Sequence, residues 1–252
     1  MIEIKKVPAS HGFLWIKHGF RLIMRSPLQA VSLAMVFFLS LIVAKLLPGG
    51  VLLLMLFMPV LVAGYMRVCR ALEYSEMVTP RFVIAGFEKN TGQLVLAGGL
   101  LLLGMIVISK VTVMLGGEAF SALINDFQKN QDSRLMMEAM MASDSGLLSA
   151  MMTGLVMFLV LTLVLQYTPM LVFFDQMSAL EAAKFSMRGS LRNIIPLSIY
   201  IMLMQLLAYV LSAIPFNLGL LILLPIGLTS LYVGYRDIFS KTQTEEVAKV
   251  GS

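Results

Sequence analysis

The sequence contains 252 residues, of which 59% are hydrophobic and 13% are charged, and its mean hydropathy is +0.89. A soluble domain carries about 25% charged residues, so this composition excludes a water-soluble globule and requires a surface that is solvated by lipid. The formal net charge of +5 does not indicate a nucleic-acid partner, because the Lys and Arg residues flank apolar segments, where they set the orientation of a membrane protein.

The N-terminal segment, residues 1–26, carries five Lys or Arg residues and is predicted to lie at the membrane interface. Its stretch GFLWIKHGFRLIMRSP places aromatic and basic side chains at different phases of a helix, which predicts an amphipathic helix on the cytoplasmic leaflet. A charge-free run follows at residues 26–44 and ends without a small-x-small cleavage pattern. We therefore expect a retained first transmembrane helix and no cleaved signal peptide.

Charge-free runs of about 20 residues, the length that crosses a bilayer, recur along the rest of the chain. The last run, 193–235, would be about 65 Å long as one helix, so the segment 214–217 is expected to divide it into two crossings. Short connections at 48–50 and 215–217 predict antiparallel helical hairpins. The six predicted transmembrane helices are residues 27–47, 51–71, 91–113, 147–174, 194–214 and 217–237.

The predicted fold class is an all-α membrane protein of three helical hairpins. A cytoplasmic interfacial amphipathic helix is expected before each hairpin, including TPRFVIAGFEKNTG before the second and SALEAAKFSMRGSLRNIIP before the third. Residues 116–145 are predicted to form an external loop, and residues 240–252 a cytoplasmic tail.

The distribution of basic residues predicts the orientation. With the N-terminus inside, 15 of the 19 Lys and Arg residues are cytoplasmic, and only Lys45, Lys110, Lys129 and Arg134 are external. This asymmetry predicts a multi-pass protein of a bacterial inner membrane, with both termini in the cytoplasm.

An internal repeat is suggested by matched spacings. Arg25 precedes Pro48 by 23 residues, and Arg192 precedes Pro215 by the same interval, while Lys89 occupies the corresponding place in the middle hairpin. These spacings predict three related hairpins.

The second helix of each hairpin contains a proline, at Pro59, Pro169 and Pro225. A proline removes a backbone hydrogen bond that must be replaced within protein, so we expect these residues to face the bundle. The alternative is that transmembrane helices simply tolerate proline.

Four segments resemble an uncharacterised family of six-span proteobacterial inner-membrane proteins. They are HGFLWIKHGFRLIMRSPL, LFMPVLVAGYMRVCRAL, YTPMLVFFD with SALEAAKFSMRGSLRN, and LLPIGLTSLYVGYRDIF. The resemblance covers nearly the whole chain, and the family is loosely similar to the membrane domains of some glycerophosphodiester phosphodiesterases. It implies a fold and a location but no activity, because the family has no catalytic motif to match and the phosphodiesterase catalytic domain has no counterpart here.

A cytoplasmic belt of arginines is the first candidate site, since such a belt suits anionic lipid headgroups. The alternative is that the positive-inside rule alone explains these residues. The candidate lipid contacts are Arg21, Arg25, Arg67, Arg70, Arg188 and Arg192.

Polar side chains in or near the spans form a second candidate site. Amides at such positions usually hydrogen-bond between helices, but together with Thr and Tyr they could line a path for a small solute. The candidate cavity lining is Gln166, Tyr167, Thr168, Gln205 and Tyr209.

Metal binding is considered and not predicted. His11 and His18 share a helix face but have no nearby third ligand, and Cys69 is the single cysteine. Thioethers in the external loop could bind Cu(I), but methionine is abundant throughout this chain. The loop thioethers are Met136, Met137, Met140 and Met141.

The leading functional hypothesis is a non-enzymatic envelope component that acts through membrane lipids or other membrane proteins. The alternative is a small-solute transporter or channel, and a membrane-embedded lipid enzyme is least supported because no buried acid–base pair is apparent. The sequence predicts no catalytic residue, no cofactor, no metal and no nucleic-acid partner.

Overall fold

The structure, a computed structural model, describes residues 2–130, 145–214 and 219–241. It is predominantly helical and divides into two units, Met1–Gly99 with Leu163–Ser252 (unit 1) and Leu100–Thr162 (unit 2). The longer helices are α1 His11–Arg25, α2 Pro27–Leu46, α3 Gly50–Glu73, α5 Thr91–Asn130, α6 Ser145–Leu165, α8 Ala179–Arg192, α9 Ile194–Ser212 and α10 Gly219–Ile238. The shorter elements are β1 Ile2–Ile4, a 3-10 helix Pro80–Ile84, α4 Ala85–Glu88, α7 Thr168–Asp175 and β2 Phe239–Lys241.

Within the described residues, five helices are long and apolar enough to cross a membrane. A shorter apolar helix, Met35–Leu46, lies in the range predicted for the first span. The chain is therefore a helical, multi-pass membrane protein, while the count of six spans stays a prediction. The five candidate spans are Gly50–Glu73, Thr91–Gly117, Gly146–Asp175, Ile194–Ser212 and Leu221–Ile238.

Helix α1 has one buried and one exposed face. Trp15 and Leu22 are buried, whereas Lys17 and Arg21 are exposed. The buried face packs against α9 and α10, and a Cβ atom at Gly19 would lie 2.6 Å from the Ser230 hydroxyl of α10. Close packing of this kind requires glycine, so the apolar face of α1 contacts protein; its placement on a membrane surface stays a prediction.

The two ends of the described chain meet in a short β-ribbon. Strands β1 and β2 pair antiparallel, with Ile2 opposite Lys241 and Ile4 opposite Phe239. The Lys5 amide extends this pairing by donating to the Ile238 carbonyl at 2.8 Å. The ribbon is an addition to the predicted all-α class that the sequence did not predict, because three-residue strands leave too little alternation for sequence patterns to reveal.

Asn193 fastens the N-terminal segment to the end of α8. Its side chain, 1% exposed, accepts from the Val7 amide at 2.8 Å and donates to the carbonyls of Lys5 and Gly189 at 2.9 and 3.0 Å. An amide in this position provides hydrogen-bond partners to backbone groups on both sides of the junction, of which two are partly buried and one is buried.

Asn193→Ala is expected to loosen this junction by about 1–3 kcal/mol, because it leaves buried backbone groups without partners. Faster tryptic cleavage after the exposed Lys5 and Lys6 would report the loosening. The matched control is Gln205→Ala, which removes an exposed amide elsewhere. Equal cleavage rates in the two variants would contradict the assigned role.

The prolines of the three predicted second helices, Pro59, Pro169 and Pro225, are buried in unit 1, which confirms that they face protein. Pro59 and Pro225 lie inside α3 and α10, whereas Pro169 begins α7 after a break at Gln166 and Tyr167. A proline suits the first turn of a helix because that turn needs no amide donor there.

Unit 2 comprises the part of α5 from residue 100 and the part of α6 up to residue 162. Small residues bring these segments close, since a Cβ atom at Gly154 would lie 2.5 Å from a methyl carbon of Thr112. Of the predicted external loop 116–145, the part up to Asn130 is helical beyond a left-handed residue, Gly117, with φ of 58°. Residues 131–144, including the four methionines, lie outside the described residues, as do residues 242–252 of the predicted tail.

Candidate functional site

A cavity of about 680 Å³ in unit 1, here called the α3–α7 cavity, lies at the ends of two apolar helices. Its walls come from the last turns of α3 and α7 and from the connecting segment 76–89, which includes α4. The lining combines basic, acidic and aromatic side chains. It consists of Arg67, Arg70, Glu76, Arg81, Phe82, Ala85, Glu88, Lys89, Phe173 and Phe174.

Arg67 is fixed in the wall by two contacts. Its Nη2 atom donates to Glu76 Oε2 at 2.8 Å, and its Cζ atom lies 4.2 Å from the centre of the Phe82 ring. Its Nη1 atom is buried and has no hydrogen-bond partner among the described residues. This donor lies beneath the surface of the wall, so the described contacts of Arg67 are those with Glu76 and Phe82.

Arg81 and Glu88 form a second, exposed pair on the opposite end of the connecting segment. Arg81 Nε donates to Glu88 Oε1 at 2.7 Å, and this hydrogen bond raises the pKa of the Arg81 guanidinium above its usual range. Exposed pairs of this kind contribute little to stability.

The two carboxylates of the lining, Glu76 and Glu88, pair with Arg67 and Arg81 and not with the other two cations, Arg70 and Lys89. The Arg70 Cζ atom lies 5.2 Å from the centre of the Phe174 ring and 5.9 Å from that of Tyr74. Contacts with ring faces hold the guanidinium but do not neutralise it. The lining has four cations and two carboxylates, so its formal charge is +2.

The depth of the cavity follows from helix length. Arg70 lies 20 residues beyond Gly50, the first residue of α3, which is about 30 Å along a helix and equals the thickness of the hydrocarbon core. Phe173 and Phe174 lie at the end of another candidate span, Gly146–Asp175. If α3 crosses the bilayer from Gly50, helix length predicts that the inner wall of the cavity lies near the headgroups.

A second cavity of about 220 Å³, here called the α1–α10 cavity, lies on another side of the α3 terminus. Arg25 Nη1 donates to the carbonyls of Leu72 and Glu73 at 3.0 Å each, which caps the end of α3. The Glu73 carboxylate accepts from Tyr232 at 2.7 Å and pairs with Arg236. The lining has three arginines and one carboxylate, so its formal charge is also +2. Arg25, Glu73 and Arg236 are engaged in contacts that join α1, α3 and α10.

The structure separates the six predicted lipid contacts into three groups. Arg67 and Arg70 line the α3–α7 cavity, and Arg21 and Arg25 line the α1–α10 cavity. The remaining two, Arg188 and Arg192, are exposed on α8 and line neither cavity.

Sequence reasoning missed two basic residues of the α3–α7 cavity, Arg81 and Lys89. Both lie in the stretch TPRFVIAGFEKNTG, for which the sequence predicts an interfacial helix. The density of basic and aromatic residues in this stretch was the sequence feature that could have indicated a cavity wall. The fold turns this stretch into a wall by placing a 3-10 helix and a single α-helical turn beside α3.

The five residues predicted to line a solute path are not brought together. Gln166 Nε2 donates to Ser190 Oγ at 2.8 Å, Tyr167 is 1% exposed, and Thr168 donates to the Val164 carbonyl. On α9, Gln205 is exposed and Tyr209 is 79% exposed. None of the five lines either of the two cavities described above. Gln166, Tyr167 and Thr168 instead contact other residues within the bundle.

No cluster of three or more His, Cys, Asp or Glu residues that could hold a metal ion occurs within residues 2–130, 145–214 and 219–241. His11 Nδ1 lies 2.6 Å from Asp237 Oδ2, whereas His18 lines the α1–α10 cavity. The two imidazoles therefore lie in different environments.

No family model and no solved structure matches the chain. A probable inner membrane protein of Burkholderia thailandensis is 30% identical over 112 residues, which are 42% of this chain and 42% of that protein. The similarity thus covers less than half of either length. Together with the five apolar helices, it supports a multi-pass inner-membrane protein.

Proposed function

We propose that this chain is a six-span inner-membrane protein that binds anionic phospholipid headgroups in the α3–α7 cavity and catalyses no reaction. The observation that carries the proposal is a lining of formal charge +2 at the ends of two apolar helices, where helix length predicts the headgroups of a bilayer. Phospholipid headgroups supply negative charge at that depth, and basic pockets between transmembrane helices recognise them. Its partners are then membrane lipids and, through them, other membrane proteins.

The proposed orientation puts both termini and this cavity in the cytoplasm. The β-ribbon brings the two terminal segments together, and Arg25 and Arg236 contact the last residues of α3. The excess of Lys and Arg in the terminal and connecting segments favours the cytoplasmic side. The anionic surface of that leaflet would draw the cavity's cations toward headgroups.

A binding role without catalysis is favoured by the chemistry of the lining. Its carboxylates, Glu76 and Glu88, are both hydrogen-bonded to arginines. A general base must lie within hydrogen-bond reach of the proton that it abstracts, and each of these carboxylates is already engaged by a guanidinium of the wall. The lining contains no His, Ser or Cys to replace them.

The proposal predicts that Arg70→Gln with Lys89→Gln will release anionic lipid. Each cation near a membrane surface contributes about 1 kcal/mol to such binding, so the double variant should bind about 30-fold more weakly. Native mass spectrometry of protein extracted with its surrounding lipid would measure the bound lipid directly.

The matched control is Arg188→Gln with Arg192→Gln, which removes the same charge from exposed positions outside both cavities. Retention of lipid by the control and its loss from the cavity variant would support the proposal. If the wild type carries no anionic lipid, or if both variants lose it equally, the basic residues act only as an orientation signal.

A further inference from the structure

Helices α1 and α8 each expose a row of large apolar side chains outside the candidate spans. In both helices the second residue of the row follows the first by seven positions and the third follows by four more, which places all three on one helix face. The six side chains are between 40% and 57% exposed, and none lines either of the two cavities described above. The row of α1 is Phe13, Phe20 and Met24, and that of α8 is Leu180, Met187 and Leu191.

The opposite face of each helix is already packed against protein. On α8 that buried face consists of small residues such as Ala182, Ser186 and Gly189, and on α1 it includes Trp15 and Leu22. A helix on the surface of a soluble protein buries its large apolar residues and exposes polar ones. The exposed rows therefore form a second apolar surface, which the described part of the chain does not cover.

Basic side chains run beside each apolar row. They recur every four residues along both helices, and all are exposed. The one acidic residue within the two helices is Glu181. An apolar stripe bordered by Lys and Arg suits the boundary between acyl chains and anionic headgroups. The basic residues are Lys17, Arg21 and Arg25 on α1, and Lys184, Arg188 and Arg192 on α8.

The place of each row relative to a span indicates what covers it. Helix α8 ends directly before α9, a candidate span whose first residues, Ile194 and Ile195, are exposed. Exposed apolar residues of a membrane-spanning helix face lipid. The row of α8 is therefore continuous with a lipid-facing surface. Helix α1 has the same place before α2, which begins at Pro27 in the range of the predicted first span.

One non-helical residue separates α1 and α8 from the helices that follow them. Ser26 has φ of −151° and ψ of 72°, and Asn193 has φ of −119° and ψ of 33°. A helix that continued the axis of a span would carry its exposed apolar row into water, which is unfavourable. A break at these two residues instead allows α1 and α8 to lie along the membrane surface.

We propose that α1 and α8 lie in the leaflet where α2 and α9 begin, with their exposed rows inserted at the boundary between headgroups and acyl chains. The basic residues beside each row then lie among anionic headgroups. This placement goes beyond lipid binding in the α3–α7 cavity and does not depend on it. The rows contact the leaflet as a surface and retain no individual lipid through extraction, so Arg188 and Arg192 remain a control for the cavity.

Spin labels at single introduced cysteines measure the depth of each row in vesicles of phosphatidylethanolamine and phosphatidylglycerol. The row variants are Phe20→Cys and Met187→Cys, and the matched controls are Glu3→Cys and Glu181→Cys, at exposed polar positions. Oxygen concentrates among acyl chains and a nickel chelate stays in water, so their relative access gives the depth. The row labels are expected about 5–10 Å into the boundary region, and the control labels in water. Wild-type protein, whose single cysteine, Cys69, is buried, gives the labelling background.

Every other result overturns the placement. Row labels that the nickel chelate reaches as readily as the controls would put the rows in water. Row labels that neither reagent reaches would mean that protein, such as a second copy of the chain, covers them. A boundary depth on one helix with an aqueous reading on the other would contradict the matched arrangement. Met24→Cys and Leu191→Cys repeat each reading one turn further along the row, and lipid retention in the α3–α7 cavity is measured separately.

Discussion

Gly98→Ala is expected to destabilise unit 1 by about 2–3 kcal/mol, although alanine is the better helix former. A Cβ atom at this position would collide with the Leu56 carbonyl oxygen of α3. Main-chain atoms cannot rotate out of the way, so α3 and α5 would have to separate, and overpacking of this kind costs about 1–3 kcal/mol or more. Thermal unfolding in detergent, followed by circular dichroism, would measure the loss.

The adjacent residue supplies a matched control. A Cβ atom at Gly99 would approach only the end of the Leu56 side chain, at 4.0 Å. Gly99→Ala should therefore leave the unfolding temperature unchanged or raise it, because alanine gains up to about 1 kcal/mol over glycine within a helix. Equal unfolding temperatures for the two variants would contradict close contact between α3 and α5 at Gly98.

The two glycines also show which parts of the fold can be predicted from the sequence. Apolar length predicted the candidate spans, because lipid imposes the same requirement on every crossing. Gly98 and Gly99 are the same type of residue and adjacent in the chain. No sequence pattern therefore distinguishes the glycine that contacts the α3 backbone from the one that does not. That difference depends on the position of α3, which is determined by tertiary packing.

For the basic residues too, position along the chain did not predict which contacts each side chain makes. The positive-inside rule grouped Arg25 with Arg67 and Arg70 because it reads only position along the chain. In the structure Arg25 caps the end of α3, whereas Arg67 and Arg70 line a cavity. The partners that separate these roles, such as the Leu72 carbonyl, lie tens of residues away. The predicted internal repeat likewise rests on spacing alone and stays a prediction.

Asp237→Ala is expected to lower the stability of unit 1 by about 2–4 kcal/mol. The Asp237 carboxylate lies 2.6 Å from His11 Nδ1 and accepts from the Trp15 indole at 2.8 Å, so it joins the last turn of α10 to the first turns of α1. Removing it leaves two polar groups without their partner, and hydrogen bonds to charged groups are worth about 1.5–3 kcal/mol each. Glu3→Ala, which removes an exposed carboxylate, should have little effect.

Substitutions at Trp15 separate the contribution of packing from that of hydrogen bonding at the contact between α1 and α10. The residue is 1% exposed, and its ring centre lies 6.1 Å from that of Tyr200 in an edge-to-face arrangement. Trp15→Phe keeps most of the packing and removes the indole donor, whereas Trp15→Ala removes both and should cost about 3–5 kcal/mol.

A double-mutant cycle then isolates the hydrogen bond. If the indole donates to Asp237, Trp15→Phe must cost about 1 kcal/mol less in an Asp237→Ala background than in the wild type, because the bond is already absent. Strictly additive losses would mean that α1 is held on α10 by packing alone, through Trp15 and the close approach at Gly19. Asp237 would then be a bystander, and the junction of the two terminal segments would depend on Asn193 and the β-ribbon.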